Sequence, residues 1–156
     1  MQISENSRIW IYQANRVLTI NEENRILKML NDFTSQWQAH GQSLAALGEV
    51  LHHQFIIFSV DEQIAGATGC SIDQSVNLMK EIEKEFNLEL FDRFRVAYRD
   101  GQNIINCSRE EFEDALKKGL IDEETLVFNN TVSVRKALQT SWEVPMKKSW
   151  HARVFH

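Results

Sequence analysis

Hydrophobic positions along this chain change their period several times, and each change marks the edge of a predicted element. Residues 8–14 set Ile9 and Ile11 against Trp10 and Tyr12, which predicts a strand apolar on both faces. Thr19 with Glu22 three residues on is the capping-box spacing, so a helix is expected to start there. Ile26, Leu27, Leu30, Phe33 and Trp37 then recur on one helical face, and His40-Gly41 is read as its end, with glycine in the left-handed cap. Two strands follow, over 44–51 and 54–60, with His52-His53 in the turn between them. Phe55-Ile56-Ile57-Phe58 is apolar on both faces and rich in β-formers, the mark of a central strand. Asp61-Glu62 reads as a tight turn leading to a short strand over 63–67.

The period returns to that of a helix after Ser71 or Asp73, where Val76, Met79, Ile82 and Phe86 form a buried stripe and Asn87 a C-cap. Phe94, Val96 and Tyr98 alternate with Arg93, Arg95 and Ala97, and Asp100-Gly101 predicts a hairpin back through 103–107. Ser108 with Glu111 is a second capping box, opening a short helix that buries Phe112, Ala115 and Leu116 and stops at Gly119. A strand over 126–131, a short helix over 133–142 and an irregular end with Trp142, Pro145 and Trp150 complete the chain. Several strand pairs are hairpins, so the expected class is α+β. The expectation is a single domain over 1–156, with 1–7 as a flexible end and helices packed mainly on one face. Its sheet would be largely antiparallel or mixed, of about five to seven strands.

Composition changes this picture little. Of 156 residues 43% are apolar and 25% charged, as in an ordinary globular protein. The net charge of −5 argues against broad nucleic-acid binding, and no apolar run is long enough to span a bilayer. The first residues lack the basic and apolar regions of a secretory signal, so a cytoplasmic protein with two free thiols, Cys70 and Cys107, is expected. The five histidines form no metal-binding spacing, and neither a metal nor another cofactor is expected.

The candidate chemistry gathers at the start of the second predicted helix. Free backbone N–H groups and the positive end of the helix dipole suit an anion there. Ser71 and Ser75 could donate to a carboxylate or phosphate, and Arg93, Arg95 and Arg99, on one strand face, could supply the cationic side. Cys70 is the candidate nucleophile, since a helix start favours a thiolate; His151 would be its base and Asp73 an orienting group. Plainer roles compete with each of these: Cys70 as a small buried hydrophobe, Ser71 or Asp73 as a cap, and the arginines as a solvated face. The basic, aromatic stretch Lys147-Lys148-Ser149-Trp150-His151-Ala152-Arg153 could hold a phosphate, or dock its tryptophan on the core. The leading expectation is a binding module for a small anionic ligand or a partner protein. A thiol-dependent enzyme and a structural, homo-oligomer-forming protein are the alternatives.

Arg8-Ile9-Trp10-Ile11-Tyr12-Gln13, Trp37 with His40-Gly41, the Gly66-to-Ser75 segment, Val96-Ala97-Tyr98-Arg99-Asp100-Gly101, Val127-Phe128-Asn129-Asn130 and Ser149-Trp150-His151-Ala152-Arg153 carry a resemblance. Over nearly its whole length the chain resembles a small family of uncharacterised bacterial proteins that bear the label "ABC transporter ATPase". The resemblance brings no catalytic residues with it. The label itself fails a chemical test, because a P-loop needs Gly-x-x-x-x-Gly-Lys-[Ser/Thr] to cradle phosphates. Gly66-Ala67-Thr68-Gly69-Cys70-Ser71 has neither that spacing nor the lysine. A P-loop ATPase is therefore not expected.

Overall fold

The computed structural model describes residues 2–155, which divide into two compact units. The first comprises residues up to Phe91 together with Ser133–Lys136; the second comprises Asp92–Val132 and the stretch from Ala137 onward. The class is α+β, and among the described residues every strand pairing is antiparallel, in sheets of three, two and four strands.

In the first unit, β1 (Arg8–Gln13), β4 (Ala46–Leu51) and β5 (Phe55–Val60) form a sheet in the order β1-β5-β4. All six residues of β5 are buried, as its two-sided apolar sequence requires of a central strand. Register places Trp10, Phe58 and Gly48 side by side, and one residue on, Ile11, Ile57 and Glu49 on the opposite face. The first of these faces receives both long helices. Ile26 and Leu30 of α1 (Ile20–Gln36) and Met79, Ile82 and Phe86 of α2 (Gly69–Phe86) share a core with Ile56, Phe58 and Val60.

Local chemistry fixes the helix ends. At α1, Thr19 Oγ1 accepts from Glu22 N at 3.1 Å while the Glu22 carboxylate accepts from Thr19 N at 2.9 Å, the capping box read from the sequence. Arg16 grips both Glu22 oxygens at 2.8 Å and donates to the Phe86 carbonyl at the end of α2. This bidentate pair holds the Glu22 carboxyl down at about 2. Asn87 closes α2 in the left-handed conformation, as expected.

Three expectations here need correcting. His40-Gly41 does not cap α1. That helix passes directly into extended backbone at Trp37, and His40 and Gly41, at φ 51° and 77°, turn a small hairpin of β2 (Gln38–Ala39) and β3 (Gln42–Ser43). Residues 63–67 are not a strand; they form turns in which Asp61 O accepts from Ile64 N and the Glu62 carboxylate accepts from Ala67 N. Of the end expected to be flexible, 4–7 folds as a turn, with Ser7 buried and the Glu5 and Ser7 carbonyls accepting from Lys136 and Arg135. Gln2 and Ile3 precede this turn without regular structure, and Met1 lies outside the described residues.

The second unit contains the sheet β7-β6-β8-β9, built from β6 (Val96–Asp100), β7 (Asn103–Cys107), β8 (Leu126–Phe128) and β9 (Glu143–Pro145). Gly101, at φ 61°, turns β6 into β7 as expected, and Ser108 with Glu111 caps α3 (Arg109–Lys117). Pro145, which cannot donate to a ladder, lies on the edge strand β9. The strand and helix expected over 126–131 and 133–142 shrink to β8 and to a single turn, α4 (Ala137–Thr140). A 3-10 turn (Met146–Lys148) and α5 (His151–Val154) end the chain. Phe112, Val127, Met146 and Phe155 lead the core of this unit. No helix among the described residues is long and apolar enough to cross a membrane.

Candidate functional site: the cleft at the start of α2

The true N-cap of α2 is Thr68, ahead of both Ser71 and Asp73. Its Oγ1 accepts from Ser71 N at 3.2 Å, and Ser71 Oγ accepts from Thr68 N at 2.7 Å. This is a capping box with serine in the place usually held by glutamate. Ser71 Oγ also donates to Thr68 O at 2.9 Å, and Ser75 Oγ donates to Ile72 O at 2.6 Å. Both serines are buried; the Ser71 hydroxyl serves the helix cap, and the Ser75 side chain also reaches the Tyr12 hydroxyl. Trp37 Nε1 donates to the Ser71 carbonyl at 2.8 Å, which ties the base of the β2–β3 hairpin to the first turn of α2.

Between this hairpin and the helix start lies an open cleft of about 550 Å³. The strand and turn Gln38-Ala39-His40-Gly41 form one wall; Thr68-Gly69-Cys70-Ser71 and Gln74 form the other. Cys70 is exposed at the second helical position, and Asp73 is exposed further along. At the helix start, Ser71 N and Ile72 N find acceptors in Thr68. Among the described residues the amides of Gly69 and Cys70 have no acceptor, and both residues line the cleft. Glu22 and Glu23 in α1, and Glu110 and Glu111 in α3, place carboxylates at the positive ends of those helices; α2 has no acid in its first turn.

The remaining predicted residues lie in the second unit. Arg95 Nε donates to Asn106 Oδ1 at 2.6 Å. Arg99 pairs with Glu143 at 2.6 Å, donates to Gln102 O and covers the Phe128 ring. Arg93 is exposed. His151 is only 1% exposed: its ring stacks on Trp150 at 3.9 Å, and its Nδ1 is 2.7 Å from Ser149 Oγ. Burial pushes its pKa down to about 4, so the imidazole is neutral at pH 7 and serves packing. Cys107 is buried, and burial raises its thiol to about 11, which makes it inert at neutral pH. Among the described residues no cluster of His, Cys, Asp or Glu could hold a metal ion.

Of the residues that line the cleft, Cys70 and Ser71 were singled out for function in the sequence, and Gln38, His40, Gly41 and Gln74 were not. The available signal was His40-Gly41 as a hairpin turn, which reading it as a helix cap concealed. Thr68-x-x-Ser71 was also legible as a capping spacing. No family model, curated protein or solved structure matches this chain.

Proposed function

We propose that the cleft at the start of α2 binds a small anionic group, a carboxylate or phosphate carried by a ligand or by a partner protein. One observation carries this reading. Gly69 and Cys70, whose amides have no acceptor among the described residues, line a cleft at the positive end of an 18-residue helix that has no acid in its first turn. The binding groups are backbone amides, with Gln38, His40 and Gln74 as neighbouring polar side chains; Ser71 and Ser75 support the helix from within. A cytoplasmic setting belongs to the same proposal.

Titration of labelled protein with inorganic phosphate and with acetate, followed through amide resonances, tests it. Saturable shifts at Gly69 and Cys70, absent at the starts of α1 and α3, are the expected result. Gly69→Pro is the informative variant. Thr68, at φ −109° and ψ 169°, already has the extended backbone that a following proline requires. Nothing within 4 Å opposes a Cβ at Gly69. Proline at the first helical position removes the donor and leaves the helix intact, so affinity falls about tenfold, the loss of one charge-assisted hydrogen bond. Absence of saturable shifts with either anion overturns the reading.

A further inference from the structure

The second unit holds another cleft, of about 350 Å³, formed where the end of the chain passes the loop after β8. Lys147, Lys148 and Arg153 line it together with Asn129, Thr131 and Trp150, and no carboxylate is among its lining residues. The three cations are not equivalent. Lys147 pairs with Glu124. Among the described residues, Lys148 and Arg153 have no carboxylate within ion-pair distance, and both are exposed. Asn129 and Thr131, from the loop after β8, line the cleft as well. Asn129 Oδ1 is occupied by the Thr131 amide at 3.1 Å and by the Thr131 hydroxyl at 2.5 Å, so the side-chain NH2 of Asn129 is the part that remains to be satisfied. Trp150 Nε1, a group that can only donate, is buried without an acceptor among the described residues.

A cleft lined by two unpaired cations and an amide donor, with no acid, is complementary to an oxyanion with several acceptor oxygens. A planar guanidinium paired with a flexible ammonium suits a phosphoryl group. We propose that this cleft binds the phosphoryl group of a small phosphate monoester, held by Arg153 and Lys148 against Asn129. The site is independent of the α2 cleft, and either can fail without the other.

The test uses the whole chain at constant ionic strength, titrated with inorganic phosphate, with glycerol phosphate and with chloride. Saturable shifts of the Trp150 indole N–H and the Ser149–Arg153 amides, from either phosphate and not from chloride, are expected. Tighter binding of glycerol phosphate places contacts on the organic part; equal binding confines recognition to the phosphoryl group. Both outcomes support the assignment. Lys148→Gln and Arg153→Gln each weaken binding about tenfold. Both side chains are exposed, so the denaturation midpoint stays in place. Lys117→Gln, which alters a cation on a different cleft, leaves the affinity unchanged. Shifts that merely follow ionic strength, or a K148Q/R153Q double variant that binds as well as the parent, overturn the proposal.

Discussion

Burial of His151 makes the stability of the second unit depend on pH between the ordinary imidazole value and its lowered one. In the folded chain the imidazole titrates at about 4 instead of its ordinary 6.5, because protonation would place a charge among Trp150, Phe112 and Phe155. Between these values the unfolded chain binds the extra proton and the folded chain does not, so stability falls as pH falls. The contribution is whole above pH 6.5 and is lost progressively on descent to about 4. The span, at about 1.4 kcal/mol per pH unit, amounts to about 3 kcal/mol. That is a large part of the stability of an ordinary domain. Urea denaturation at stepped pH, followed by tryptophan fluorescence, measures it for the parent and for His151→Gln. The variant is neutral at every pH and is expected to lose the part of the slope between 6.5 and 4. Carboxylates act on both proteins alike, so the difference between the curves isolates His151. Parallel curves, or a His151 ring proton that titrates near 6.5 in the folded protein, would refute the reasoning.

Two further outcomes follow from packing and exposure. A Cβ added at Gly48 would stand 2.8 Å from Leu30 Cβ, an atom fixed to the α1 backbone that no rotamer change can move. Gly48→Ala therefore forces β4 and α1 apart and costs about 1–3 kcal/mol. Gly69→Ala, with open space around it, is neutral or stabilising by about 0.4–1 kcal/mol; equal denaturation midpoints for the two variants would contradict this. In native protein, iodoacetamide modifies Cys70, which is exposed, and reaches Cys107 only after unfolding, as peptide mass mapping would read directly. Labelling of both thiols at one rate in native conditions would show that the second core is open.

What the sequence made legible was mostly local. Two of the three capping boxes, the Gly101 turn and the Asn87 cap each depend on a few neighbouring residues whose chemistry permits little else. The burial of Phe55–Phe58 in β5 was readable for a related reason, although two-sided apolar sequence alone did not decide it, since β1, read the same way, lies at the sheet edge. Ambiguity arose where one signal serves two structures. A glycine in the left-handed region ends helices and turns hairpins alike, and the β2–β3 pairing, closed at its base by the Leu44 N to Trp37 O hydrogen bond at 2.9 Å, decides between them. The 63–67 stretch carried apolar residues in strand-like order, yet Asp61 and Glu62 take its amides locally and leave no ladder to join.

The functional reading was harder to draw from sequence because it depends on which hydrogen bonds are already spent. Ser71, Ser75 and the amides of Gly69 and Cys70 all belong to one helix start, and composition cannot rank them. Once Thr68 is the cap, Ser71 takes the position that glutamate occupies at α1 and α3, and both serine hydroxyls turn inward. The serines thus lose their candidacy, and the adjacent amides gain it. Substituting serine for glutamate keeps the reciprocal cap but withholds a negative charge from the positive end of α2. Ser71→Glu would restore that charge, at the risk of placing it in a buried position. Comparison with Gly69→Pro then separates two sources of affinity, since proline removes a donor and leaves the charge, while glutamate reverses the field and leaves both donors. If the helix dipole dominates, the glutamate variant loses more anion affinity; if the directed amides dominate, the proline variant does.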